Sequence, residues 1–302
     1  MSKINYSVII PHKNCIDLLK RCIDSIPQRD DLEIIVIDDN SGIPASNFPY
    51  LENERISYIF LDANESNYAG HARNVGLTKA SGKWLLFADA DDYYSNSLNT
   101  MLDKYRYDNI HDIVYLSANM INEKGEKSEF KINRYIRNYL SNKYYSEKIL
   151  RFGVWTPWTR MVKRELVIKH NLLFEETPTG NDLYFGIATS GYSSKIACET
   201  DIIYNYYRPT SESLTDSYYT IKNLESRIRQ TIRLNHLYDI FDYKYKFSLI
   251  LSYQIPHSIR DQKAIKEYKE IRKNVFITSN QSIVRDVYRA LKFKLALLFK
   301  HI

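Results

Sequence analysis

The chain has 302 residues, 44% of them apolar and 26% charged, with a net charge of +6, the balance of a soluble globular protein. Three cysteines exclude a disulfide framework and fit a reducing, cytoplasmic setting, and no apolar run approaches the ~20 residues of a membrane span. The opening MSKINYSVII lacks the apolar core of a signal peptide.

YSVIIP (6–11) reads as a buried strand, and CIDLLKRCIDSI after it as a helix with Leu19, Cys22, Ile23 and Ile26 at helical spacing. On such a helix Cys15 and Cys22 stand ~10 Å apart, too far for a bridge. LEIIVIDD (32–39) is a second strand, running into the turn DNSG, and RISYIFLD (55–62) a third. YAGHARNVGLTKASG follows as a short helix stopped at Gly82. KWLLFADADD is a fourth strand and DIVYLSANM (112–120) a fifth. Strand and helix alternating at this pitch predict a mostly parallel sheet with crossover helices.

After about residue 140 the pattern loosens. VWTPWTRMVKRELVIKHN reads as a loop and a helix, GNDLYFGIATSGY as a short helix, and SKIACETDIIYNYYR as a strand. From residue 217 onward successive helices are expected. Residues 222–302 carry 17 Lys/Arg against 7 Asp/Glu, on a body that is slightly acidic. A basic tail of this kind calls for an anionic partner.

In an open α/β sheet, ligands bind beyond the carboxyl ends of the strands. Here those ends carry Pro11-His12-Lys13-Asn14, Asp38-Asp39-Asn40-Ser41 and Asp89-Ala90-Asp91-Asp92. Three polar ends point to one site. Neither G-x-G-x-x-G nor a Walker A loop is present to cradle phosphate, so a diphosphate would be held through a divalent metal on carboxylates, with Asp89 and Asp91 as candidates. In the competing reading these Asp residues cap the next helix and favour its positive end. An EF-hand loop is excluded because Tyr94 stands where its sixth-position Gly belongs. A haloacid-dehalogenase-like phosphatase is excluded because D-A-D-D-Y follows the fourth strand instead of the first.

VIIPHKN, EIIVIDDNS, HARNVGLTKASGKWLLFADADD and GND occur in an order and spacing that resembles the family 2 glycosyltransferases of GT-A fold, over roughly residues 5–215. The resemblance implies an α/β, Rossmann-like GT-A domain over 1–215, with a donor half (1–120) and an acceptor half (121–215). A helical, basic C-terminal region would follow over 216–302. It also implies a metal-dependent, inverting transfer from a nucleotide-diphospho-sugar, with a UDP-sugar expected first. The acceptor would be a glycan or lipid-linked glycan in capsule, O-antigen or LPS biosynthesis.

Residue roles carry over by position. Asp39 would accept the imide N–H of uracil or thymine, with Pro11 and Lys13 lining the base pocket. Family members usually have Tyr where Lys13 stands. Arg73 would contact the nucleotide, Asp89 would lie by the ribose, and Asp91 would ligate Mn²⁺ or Mg²⁺. Asp182 matches the catalytic carboxylate, although Asn181 replaces the Glu that usually precedes it; the alternative is that Asp182 caps the helix LYFGIA. Trp158 resembles an acceptor-half Trp able to pack on a sugar, or it is a core Trp. Arg208 opens YRPTSESLT after Tyr207, the counterpart of a loop that closes over the diphosphate, and is the expected phosphate contact there.

Two other readings stay open: a sugar-phosphate nucleotidyltransferase, whose Gly-rich signature PHKNCIDLL lacks, and a non-catalytic sugar- or nucleotide-binding module. In the tail, Val284, Val287, Tyr288, Leu291, Leu295, Leu298 and Ile302 form an apolar stripe beside Arg285, Arg289, Lys292, Lys294 and Lys300. Such a helix either lies on an anionic membrane surface, at the inner face of the plasma membrane, or packs on its neighbours. Nucleic acid is not an expected partner.

Overall fold

The computed structural model describes residues 4–63, 68–208 and 221–242, with residues 266, 269, 270 and 273. The tail stripe of 284–302 and the 209–215 part of the expected diphosphate loop lie outside the described residues. The chain divides into two compact units, Met1–Thr177 with Asn181–Ser211, and Pro178–Gly180 with Glu212–Ile302.

The first unit begins with β1 (Tyr6–His12), α1 (Ile16–Asp24), β2 (Leu32–Asp38), β3 (Ile56–Phe60), α2 (Tyr68–Lys79) and β4 (Trp84–Phe87). Every residue of β1 and β4 is buried, as is all of β2 except Glu33, so these strands read as unbroken apolar runs without alternation. All pair in parallel, in the order β3-β2-β1-β4. On α1, Leu19, Cys22 and Ile23 face the core as their spacing requires.

The chain continues through β5 (Tyr93–Tyr94), α3 (Ser97–Tyr105), β6 (Ile113–Ile121), β7 (Lys127–Glu129), α4 (Lys131–Ser141) and α5 (Lys143–Gly153). Then come β8 (Arg160–Lys163), α6 (Arg164–Lys169), α7 (Leu183–Tyr192) and β9 (Ile196–Tyr207). These extend the sheet as β4-β8-β6-β9-β5, with β7 folded onto β6. β8 runs antiparallel to both β4 and β6, while β6 and β9 are parallel. A mixed half is thus joined to the parallel one.

β8 falls in the stretch that the sequence assigns to loop and helix. Four residues, bounded by Arg160 and Lys163, are too few for periodicity to show, and the helix α6 follows without a break. In the second unit α8 (Ile221–Ile240) buries Leu234, Leu237 and Tyr238, and its Gln230 Nε2 donates to the Thr179 carbonyl at 2.6 Å. Among the described residues no helix is long and apolar enough to cross a membrane.

One close approach fixes the wall of the site. A Cβ on Gly70 of α2 would lie 2.1 Å from the Glu175 carbonyl oxygen and 3.0 Å from Asn181 Cβ. Asn74, one turn further on, staples the same segment: its Nδ2 donates to the Phe174 carbonyl at 3.0 Å, and its Oδ1 accepts the Phe174 N–H at 2.8 Å. Gly70→Ala is therefore expected to destabilise the fold by about 1–3 kcal/mol, the range for overpacking a closed contact. A urea titration checks this; an unchanged midpoint would mean that the segment shifts freely.

Candidate active site

The parallel register sets His12 beside Asp38, so β1 and β2 run out together and deliver Lys13 and Asp39 to one edge. Both His12 and Asp38 are buried, and His12 Nδ1 lies 2.7 Å from Asp38 Oδ1. Because the Cys15 N–H donates to His12 Nε2 at 3.2 Å, the Nδ1–H is the donor to Asp38. Asp38 also accepts the Ser41 N–H at 3.0 Å, which shapes the turn holding Asp39. His12 and Asp38 thus organise the edge without facing outward, a role the sequence reading did not give them.

Asp39 is 5% exposed. Its Oδ2 accepts from Lys13 Nζ at 3.1 Å, and its Oδ1 is buried with no hydrogen-bond partner among the described residues. Pro11 lies inside β1, opposite Ile37 of β2, as part of the floor. Phe48 packs edge-on against His12 and Phe60, with centroids 5.4 and 5.0 Å away, so aromatic surface flanks this edge although no Tyr replaces Lys13.

The end of β4 carries the acidic turn. Asp92 points inward, accepting the Tyr204 hydroxyl at 2.8 Å and the Tyr207 N–H at 2.7 Å. The Tyr204 oxygen in turn accepts the Asp89 N–H at 2.9 Å. One buried tyrosine of β9 therefore ties both ends of the turn. Burial, reinforced by Asp89 and Asp91, drives the Asp92 carboxyl well above the usual carboxylate range. Asp91 is pushed to about 6 by burial and then by the charge of Asp89.

Arg21 of α1 holds the turn from the other side. Its guanidinium lies over the rings of both Tyr93 and Tyr207, 4.9 Å from each centroid, and donates to the Asp91 carbonyl at 2.5 Å. Nothing in the sequence marked it, since a single Arg on an amphipathic helix looks like any solvated position.

Arg73 joins the donor edge to the far wall. It donates to Asp89 Oδ1 at 2.5 Å and to Asn181 Oδ1 at 2.8 Å, and is 5% exposed. An amide at Asn181 supplies an acceptor without a second negative charge, so Asp89 remains the ion-pair partner of Arg73. Next to Asn181, Asp182 stands at the N-cap of α7, yet makes no side-chain capping bond. The capping alternative therefore does not account for its carboxylate. Asp182 is half-buried and keeps partial access to solvent. Burial raises its pKa, Asp89 adds to that, and Arg73 and Arg160 pull against it.

Arg160, the first residue of β8, is completely buried. It donates to the Gly186 carbonyl at 2.6 Å, Ser190 Oγ at 2.7 Å and the Val154 carbonyl at 2.5 Å, fixing α7 behind Asp182. Trp158 is 4% exposed and stacks near-parallel on Tyr204 and Tyr206, with centroids 4.9 and 5.4 Å away. The indole that the resemblance offers to an acceptor sugar is thus engaged with protein rings. Arg208, just past β9, is exposed, and its backbone N–H donates to the Ile121 carbonyl at 2.8 Å.

The structure brings Lys13, Asp39, Arg73, Asp89, Asp91 and Asp182 to the carboxyl-end edge of one unit. EpsJ of Bacillus subtilis (strain 168), described as an uncharacterized glycosyltransferase, is 26% identical over 220 residues, 70% of this chain and 62% of that protein. The cholesterol galactosyltransferase of Borreliella burgdorferi is 26% identical over 293 residues, covering 89% of this chain and 81% of that protein. The crystal structure of S. aureus TarS 1–349 in complex with UDP-GlcNAc is similar at a TM-score of 0.64 and 16% identity, covering 89% of this chain and 79% of that one. That likeness fixes the fold as GT-A. Residues 7–169 match the description Glycosyl transferase family 2, more than half of the chain, and the chain belongs to the family 2 glycosyltransferases.

Proposed function

We propose that this glycosyltransferase takes its sugar from a UDP-sugar and passes it, with inversion, to a glycan hydroxyl during assembly of a cell-surface polysaccharide of capsule, O-antigen or LPS type. The observation that carries the donor choice is the orphaned, buried Asp39 Oδ1. A carboxylate oxygen shut off from water needs a donor. Uracil offers its N3–H at that position of the ring, where cytosine has only an acceptor. Lys13 already occupies Oδ2 and so leaves one oxygen for the base.

Beyond the base, Asp89 would lie by the ribose, and Arg73 and the exposed Arg208 would contact the nucleotide and its phosphates. Asp91 is the group that would hold Mn²⁺ or Mg²⁺. Among the described residues no three His, Cys, Asp or Glu side chains converge into a protein cage. An ion arriving with the donor needs only one or two carboxylates besides the phosphate oxygens and water. The half-buried Asp91, with its charge raised in energy by burial and by Asp89, fits that demand. When bound, the ion would offset negative charge on the diphosphate leaving group.

Asp182 takes the proton from the attacking hydroxyl. Burial raises the Asp182 pKa, which makes its carboxylate a stronger base and suits it to general-base work. With Asp182 as base and direct attack from the acceptor side, displacement would invert the anomeric centre. The tail stripe, when it meets anionic lipid, would hold the enzyme where lipid-linked acceptors are made.

The test is base selectivity. In a thermal-shift or calorimetric titration the wild type should prefer UDP over CDP. Asp39→Ala should weaken UDP by roughly 10–100-fold, the worth of a charged, buried hydrogen bond, and leave CDP nearly unaffected. Equal binding of the two nucleotides by the wild type would overturn the donor assignment.

A further inference from the structure

We propose that the acceptor carries an anionic group, a phosphate or a carboxylate, close to the hydroxyl that Asp182 deprotonates, and that Lys131 receives it. This deepens the transfer reading above, and it rests on that reading for the place of Asp182.

Lys131 is the first residue of α4, which follows the β6–β7 hairpin in the acceptor half. A cation at the start of a helix is opposed by the macrodipole, so the position is electrostatically unfavourable. The ammonium is also hemmed in by protein atoms, and burial lowers its pKa, with the charge of Asp182 acting in the opposite direction. Lys131 is nonetheless exposed to solvent. Among the described residues its Nζ makes no hydrogen bond or ion pair. Its contact is the indole of Trp155, 4.4 Å from the ring centroid.

The Trp155 backbone in turn is packed against α7, the helix that Asp182 precedes. A Cβ on Gly186 of α7, one turn beyond Asp182, would lie 2.1 Å from the Trp155 carbonyl oxygen. Trp155 thus links α7 to Lys131, and Lys131 lies within electrostatic reach of Asp182. Two other assignments fit less well. Lys131 is not needed to keep Asp182 charged, because Arg73 and Arg160 already act on it in that sense. Nor is it a surface ion pair: the carboxylate nearest in sequence, Glu129, is held by Arg137 in a bidentate pair. A cation without a carboxylate partner among the described residues, held over an aromatic face and within electrostatic reach of Asp182, fits a negatively charged oxygen group brought in by the substrate.

Trp84 and Trp158 are buried, so Trp155 is the tryptophan whose emission should report on ligands at this position. The full-length wild type, Lys131→Met and Lys131→Arg are titrated with glucose, glucose 6-phosphate and glucuronate, with no donor present. Saturable changes are expected with the two anionic sugars at concentrations about tenfold below glucose. Lys131→Met should lose that preference and Lys131→Arg should recover most of it. A stronger response to glucose 6-phosphate identifies a phosphate-bearing acceptor, and a stronger response to glucuronate a uronic one. Equal responses of the wild type to all three sugars, or an unaltered preference in Lys131→Met with its melting temperature intact, overturns the proposal. Stabilisation of the wild type by UDP is read in parallel. Its absence would count against the donor reading, whereas the fluorescence result stands or falls by itself.

Discussion

Replacing Asp182 by Asn should slow sugar transfer by ~10²–10⁴-fold, the range for a positioned general base, while UDP still binds. The change keeps shape and removes basicity. Asp182 is suited to the role because its carboxylate has no capping duty and is half-buried, next in the chain to Asn181, which Arg73 of the Arg73–Asp89 pair holds. Burial raises its pKa, so the active, ionised form should appear only as pH rises above the ordinary carboxylate range. Wild-type transfer should climb through that region and then level off, and the residual rate of Asp182→Asn should lack the step. Rates are compared with UDP affinity from calorimetry. Near-normal transfer by the variant would move the role elsewhere. Glu199 is a poor substitute, since its Oε1 is already held by Lys104 and Tyr105 at 2.6 Å each. Asp201 is exposed on β9 and would be the next to test.

What could be read in the sequence depended on how local the signal was. β1, β2 and β4 were legible because strands buried on both faces in a parallel sheet must be apolar throughout, and their polar ends then stand out. The gathering of Lys13, Asp39 and the acidic turn on one edge followed from topology. β8 was hidden: its central position in the sheet rests on backbone pairing with β4 and β6, and two charged residues bound its four positions. The same shortness concealed Arg160, whose complete burial is tolerable only because α7 and Val154 offer it carbonyl and hydroxyl acceptors.

Aromatic residues near the acceptor wall were ambiguous for a related reason. Trp155 and Trp158 are three residues apart around a proline, and either could face a sugar by sequence alone. Packing separates them, with Trp158 stacked on Tyr204 and Tyr206 and Trp155 lying under Lys131. Arg21 and Lys131 could not be singled out at all. Their meaning comes from partners 70 or more residues away in the case of Arg21, and from the lack of a carboxylate partner among the described residues in the case of Lys131.

Asp91→Ala should abolish metal-dependent donor binding in a chain that stays folded. The turn's shape is set by other groups: Asp92 is anchored by Tyr204 and Tyr207, and the backbone at Asp91 is gripped through its carbonyl by Arg21. Removing the Asp91 side chain leaves all three contacts in place. It also relieves repulsion with Asp89, part of what lifts the Asp91 pKa to about 6, so thermal stability without ligand should hold or rise slightly. Repulsion relief and ligand loss thus pull in opposite directions on two separate readouts. If Asp91 were a structural residue, the variant would melt earlier and its UDP affinity would fall equally with and without metal. If it holds the ion, calorimetry should find UDP binding to the wild type strengthened by Mn²⁺ and removed by chelator, and binding to Asp91→Ala indifferent to both. Unchanged Mn²⁺-dependent UDP affinity in the folded variant would refute the metal assignment and turn attention to Asp89, which would then have to release Arg73 to take the ion.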